Sequence, residues 1–179
     1  MERLKEYTVA HLEATSQTPE AIISGILDDE IKARMIKVIK IEAPIRQSLL
    51  YKRTLNSFSL QKVGSRILQK FDEIATSLDF DYIEENGEKV YIFGESQFFR
   101  PTPDSEVRYS YQIPYIEGAN CILHILESRD KSSYTQKELS YIFSETMGYQ
   151  KLGAKVLELF KESLKDQRIK KNKNGRVQK

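Results

Sequence analysis

Apolar residues recur at helical spacing through much of this chain, and aromatic, β-branched runs interrupt that pattern. The first thirty residues predict helix, with a fresh start at Thr18-Pro19-Glu20, where Thr18 suits a cap and Pro19 a first turn. A further helix opens at Asp28-Asp29. Ile31, Met35, Ile36, Val38 and Ile39 give it a broad apolar face, and Ala43-Pro44 stops it. Another helix spans Arg46 to Ser57, and one more begins around Gly64. Phe80-Asp81-Tyr82-Ile83-Glu84 and Lys89-Val90-Tyr91-Ile92-Phe93 then flank Asn86-Gly87, the signature of a two-stranded hairpin.

The pattern occurs twice. Leu60-Gln61-Lys62-Val63-Gly64-Ser65-Arg66-Ile67-Leu68-Gln69-Lys70-Phe71 aligns without a gap to Tyr149-Gln150-Lys151-Leu152-Gly153-Ala154-Lys155-Val156-Leu157-Glu158-Leu159-Phe160, with five of the twelve positions identical. Each segment follows a helical stretch (Arg46 to Ser57, Thr135 to Met147) and precedes an Asn-Gly turn, at Asn86-Gly87 and Asn174-Gly175. Helix, helix, turn, helix, hairpin is the winged-helix order, a variant of helix-turn-helix. The expected fold is therefore α+β and mostly helical: tandem winged-helix units behind an N-terminal helical extension. Residues 1–27 form the extension, 28–93 the first unit, 94–114 a structured linker rich in proline and aromatic residues, and 115–179 the second unit. In that second unit a helix from Ile116 to Ser128 turns Ile122, Ile125 and Leu126 inward.

Charge sharpens the picture. A formal net charge of +2 over 179 residues is close to neutral, so a nucleic-acid reading depends on where the cations sit. In the first unit Val63, Ile67, Leu68, Phe71 and Ile74 make a buried stripe, while Lys62, Arg66 and Lys70 fall at i, i+4 and i+8 on another face. Lys151 and Lys155 recur in the second. From Lys165 to Lys179 seven basic residues, Arg168, Lys170, Lys171, Lys173 and Arg176 among them, face one acidic residue. Such a wing suits phosphate contacts, which supply affinity without reading sequence. The first wing is acidic, with Asp79, Asp81, Glu84, Glu85 and Glu88. Gly64 and Gly153 occupy equivalent places at the start of the third helix. Close packing against the second helix is the simple explanation for them, and close approach to a phosphate the alternative.

Other chemistry is weakly signalled. Cys121 and His124 are three apart on an apolar helix, which favours a buried thiol over a nucleophile and base. Asp79, Asp81 and Glu84, or Asp104 and Glu106, lack the convergence of a metal-dependent nuclease. No Gly-rich phosphate loop is present. The expectation is a non-enzymatic protein without cofactors or bound metal. A lone cysteine excludes an intrachain disulfide and fits a reducing compartment. No apolar run approaches the roughly 18 residues that would span a bilayer. The start, Met1-Glu2-Arg3-Leu4-Lys5-Glu6, is charged where a signal peptide turns apolar, so a cytoplasmic location without a membrane partner is expected.

Glu42-Ala43-Pro44-Ile45, Lys52-Arg53, Gln61-Lys62-Val63-Gly64-Ser65-Arg66-Ile67, and Arg100 and Arg108 before Ile113 resemble an uncharacterised bacterial domain. It stands at the C-terminus of large superfamily-one helicase-like proteins that often carry a Vsr-like endonuclease domain. The resemblance runs from about residue 30 to 175. Ala43 stands where that family usually has glycine, and the tryptophan common after its first wing is absent. The resemblance implies an accessory module of DNA-processing or defence machinery, partnered by DNA or by a helicase or nuclease protein, and supplies no catalytic residues. Arg100 and Arg108 lie among aromatics, a combination suited to an anion or to stacking on a base. The alternative is that they pair with Asp104, Glu106 or Glu117. Tyr109, Tyr111 and Tyr115 beside them leave a small-molecule or nucleotide pocket between the two units as a further reading.

Overall fold

The computed structural model describes residues 3–105 and 107–178. Its chain is α+β and divides into two compact units, one of residues 8–94 and one that joins residues up to Tyr7 with those from Glu95 onward.

In the first unit α1 (Pro19–Ile23) is short, and α2 (Asp28–Glu42) leads to the two-residue strand β1 (Ile45–Arg46). Then come α3 (Gln47–Ser57), α4 (Ser65–Ala75), β2 (Tyr82–Glu85) and β3 (Glu88–Tyr91). The sheet is antiparallel in the order β1-β3-β2. Asn86 and Gly87 both take positive φ, 52° and 76°, as the two-residue turn that matches strand twist requires. Ile31, Met35, Val38 and Ile39 of α2 meet Leu50 and Leu55 of α3, Phe58, and Ile67 and Phe71 of α4 in one core. Val63 and Leu68, expected in that stripe, are instead 42% and 44% exposed. The helix begins only at Ser65, so Val63 precedes it, and the buried face is made by Ile67, Phe71, Ile74 and Ala75.

Of the helix expected across the first thirty residues, only Pro19–Ile23 and the first turn of α2 form; residues 5–18 carry no helix. Buried polar groups claim this segment's backbone. Glu42 accepts the Ala10 N–H at 2.9 Å, Arg34 donates to the Glu13 carbonyl at 2.9 Å, and Thr15 donates its N–H to Ser57 O at 2.9 Å. An extended strap satisfies all of these, whereas a helix would use the same groups internally.

The second unit repeats the order with α5 (Tyr115–Ser128), β4 (Ser133–Tyr134), α6 (Gln136–Thr146), α7 (Ala154–Ser163), β5 (Lys170–Lys171) and β6 (Val177–Gln178). Its sheet order β4-β6-β5 matches the first. Adding 89 to the numbering carries α3 onto α6, the left-handed Ser59 onto Gly148, and Gly64 onto Gly153. Thr135 and Glu138 form a reciprocal capping box at the start of α6. Ile122, Ile125 and Leu126 are buried with Leu139, Phe143, Val156 and Phe160. Gly118 lets α5 approach α7 closely, since a Cβ there would lie 2.0 Å from the Ser163 Oγ. Residues 3–5 bond to Phe99, with Lys5 N–H donating to Phe99 O at 3.0 Å and Phe99 N–H to Arg3 O at 2.7 Å.

Candidate functional site

The start of α4 is built by Gly64, the N-cap, in an extended conformation (φ −76°, ψ 160°) with no side-chain cap. Gly153 does the same for α7 (φ −81°, ψ 169°). A Cβ at either position meets nothing within 4 Å, so packing against the second helix does not explain them. Both leave the first-turn N–H groups uncovered by any capping side chain, at the positive end of the helix dipole. Lys62 precedes the helix, so it does not share a helical face with Arg66 and Lys70. It is exposed, as is Arg66 in the first turn, and neither is ion-paired among the described residues. Lys70 is held by Asp28 at 3.2 Å and lies 3.9 Å from Glu73. Beside this turn Lys52, Asn56, Ser59, Leu60 and Gln61 line a shallow groove of about 480 Å³. Sequence reasoning missed it, although Lys52 and Asn56 at i and i+4 on α3 share an outward face.

In the second unit Lys151 is exposed and unpaired among the described residues, while Lys155 pairs with Glu158 at 2.9 Å. Arg168 is held by Asp166 at 2.8 Å and donates to the Asn120 side-chain oxygen at 2.9 Å. Arg176 donates to the Ser133 hydroxyl at 2.9 Å and carbonyl at 3.0 Å, which ties the hairpin to β4. Lys170 and Lys171 sit on the edge strand β5 and Lys173 in the turn beyond it; all three are exposed and unpaired among the described residues. Lys179 lies outside the described residues. The ten basic positions thus separate into six exposed without an ion pair among the described residues (Lys62, Arg66, Lys151, Lys170, Lys171, Lys173) and four with partners, Lys155 only through a pair at the surface.

Charge also separates by unit: seventeen basic against thirteen acidic residues in the second, eleven against thirteen in the first. Around the first hairpin Asp79, Asp81 and Glu84 are exposed. Glu85 and Glu88 turn inward to Arg46, at 2.8 and 3.5 Å.

Arg100 and Arg108 are both buried, and both guanidiniums bond to the carboxylate of the fully buried Glu117, Arg108 Nη2 at 2.7 Å and Arg100 Nε at 3.1 Å. The Arg100 N–H donates to the same carboxylate at 3.1 Å. The Tyr7 ring lies 4.2 Å from the Arg108 guanidinium. Burial pushes the Glu117 carboxyl up, but Arg108 and Arg100 outweigh it and hold it below its ordinary value. Of the carboxylates expected as partners, Glu117 therefore serves both arginines. Asp104 is exposed, and Glu106 lies outside the described residues.

Cys121 is fully buried, which raises its thiol well above the ordinary value and disfavours thiolate at neutral pH. The His124 ring lies 5.2 Å from that of Phe99. Among the described residues no group of three His, Cys, Asp or Glu side chains converges on a common point, and no helix is long and apolar enough to cross a membrane.

Residues 23–69 match a family described as "Protein of unknown function (DUF3320)". The matched stretch holds α2, β1, α3 and the first turn of α4, including Lys52, Lys62, Gly64 and Arg66, and stops short of the second unit. No curated protein and no solved structure matches the chain.

Proposed function

We propose that this chain is a tandem winged-helix module that binds duplex DNA with little sequence preference, as an accessory to DNA-processing or defence machinery. In each unit three helices (α2–α4 and α5–α7), a short strand after the first of them, and a terminal hairpin paired to that strand support the winged-helix reading. The observation that carries the DNA reading is the basic hairpin that follows α7. Lys170, Lys171 and Lys173 stand in solvent without carboxylate partners among the described residues, where a wing meets the phosphate backbone. Lys151, just before α7, adds a further exposed cation to the same unit. The exposed Asp79, Asp81 and Glu84 make the first hairpin a poor phosphate contact, so the second unit leads. No catalytic step belongs to this reading.

The test is charge reversal. Lys170→Glu, Lys171→Glu and Lys173→Glu together should weaken binding to a random duplex at least tenfold more than Lys62→Glu with Arg66→Glu, by fluorescence anisotropy at fixed salt. Equal losses would contradict the assignment of the leading contact.

A specific observation favours a second role for the first unit. Val63, just before α4, and Leu68 on it are exposed, whereas their counterparts Leu152 and Leu157 pack against the core. Exposed apolar groups interspersed in sequence with Lys62 and Arg66, which have no ion pair among the described residues, suit docking onto an acidic, apolar segment of a helicase or nuclease partner.

A further inference from the structure

The second unit carries an aromatic feature that phosphate contacts leave unused. Tyr109 caps the 3-10 turn Ser110–Gln112 and Tyr111 is its central residue, and their rings stack at 5.4 Å between centroids with 17° between planes. Both are far out in solvent, 50% and 60% exposed. Apolar ring surface of this extent is ordinarily buried, and a parallel pair leaves its outer faces open to a third flat ring.

The pair is held beside the start of α7. The Tyr149 hydroxyl, in the turn before that helix, donates to the Arg108 carbonyl at 2.8 Å, which fixes the chain immediately before Tyr109. Thr102 N–H donates to Met147 O at 2.9 Å and anchors the same segment to the end of α6. The buried Arg108–Glu117 pair fixes it from the other side. The stack thus borders the segment before α7 that carries Lys151, and Tyr141 of α6 is a further exposed ring in this unit. Asp104 is exposed on the stack's own segment and disfavours phosphate there, so ring faces rather than charge supply the contact.

We propose that the Tyr109–Tyr111 stack is a platform for an unpaired base, and that the preferred ligand is duplex DNA carrying a single-stranded tail. This rests on the DNA-binding reading above, with the basic hairpin taking the duplex phosphates and the tyrosines taking the first bases of the tail. Stacking on aromatic side chains tolerates any base, which agrees with weak sequence preference.

Two forms of one duplex, blunt and with an oligothymidylate tail, separate the two ideas in an anisotropy titration. The tailed form should bind about tenfold more tightly than the blunt form. Tyr109→Ala with Tyr111→Ala should abolish that gain and leave blunt binding unchanged, while Tyr109→Phe with Tyr111→Phe should keep it, because the ring faces remain. With no tryptophan in the chain, quenching of tyrosine emission by the tail gives an independent readout. No preference for the tail in the wild type, or an alanine variant that loses blunt and tailed binding by the same factor, would overturn the platform. Binding to the tail strand alone with none to the blunt duplex would overturn the duplex reading and keep the platform. No binding to either form would overturn both.

Discussion

At the scale of single residues, the sharpest division is between cations that belong to the fold and cations that face solvent. Arg100, Arg108 and Glu117 form a buried triad with two positive charges against one negative. Replacing one member of such a group leaves uncompensated charge in the interior. Glu117→Gln should therefore destabilise the second unit by about 3–5 kcal/mol in urea unfolding. Because the folded carboxyl titrates below its ordinary value, its contribution is complete above pH 4.5 and is lost as pH falls through the folded value. The wild type should lose stability on acidification through that window, and Glu117→Gln should be flatter across it. Gly153 gives a test of opposite signs. Asp is a better cap than Gly and favours the helix dipole, so Gly153→Asp should raise stability by about 0.5 kcal/mol, by thermal melting. The same carboxylate at the head of α7 should weaken DNA binding. A variant that is more stable and binds as well as the wild type would remove this helix start from the interface.

At the scale of elements, the close approach of α5 to α7 rests on Gly118. Gly118→Ala places a methyl against Ser163 and should cost about 1–3 kcal/mol in chemical unfolding, a loss that Ser163→Gly in the same chain should recover. Much of this level was legible in the sequence. The gapless repeat gave the helices, and Asn86-Gly87 located the first turn, because helical period and turn chemistry are local signals. Strands β1 and β4 were not legible. Two residues hold no period, and both exist only through their partners β3 and β6. The strap at residues 5–18 was misread as helix because its conformation is set by Arg34 and Glu42, distant in sequence. The candidate site was legible as composition but not as geometry. Lys70 and Arg176 are held by Asp28 and by Ser133 of β4, both distant in sequence, so nothing local distinguishes them from Lys170 and Lys171, which have no ion pair among the described residues. Lys62 was read onto a helical face that begins three residues later, since a glycine in an otherwise helical run can be interior or cap.

At the scale of the whole molecule, a near-neutral chain hides two units of opposite balance, one slightly acidic and one basic. Gross charge therefore underestimates what the second unit can bind. The two copies also differ at the surface: a basic hairpin in one, and exposed Val63 and Leu68 at and just before α4 in the other. The central claim is that free lysines of the second hairpin neutralise DNA phosphates. The measurement closest to it is the salt dependence of binding to a random duplex, for the wild type and for Lys170→Gln, Lys171→Gln and Lys173→Gln combined. The wild type should show log affinity falling linearly with log salt, and the triple variant a slope shallower by roughly one for each lysine removed. An unchanged slope, or no binding by the wild type even at low salt, would contradict the account.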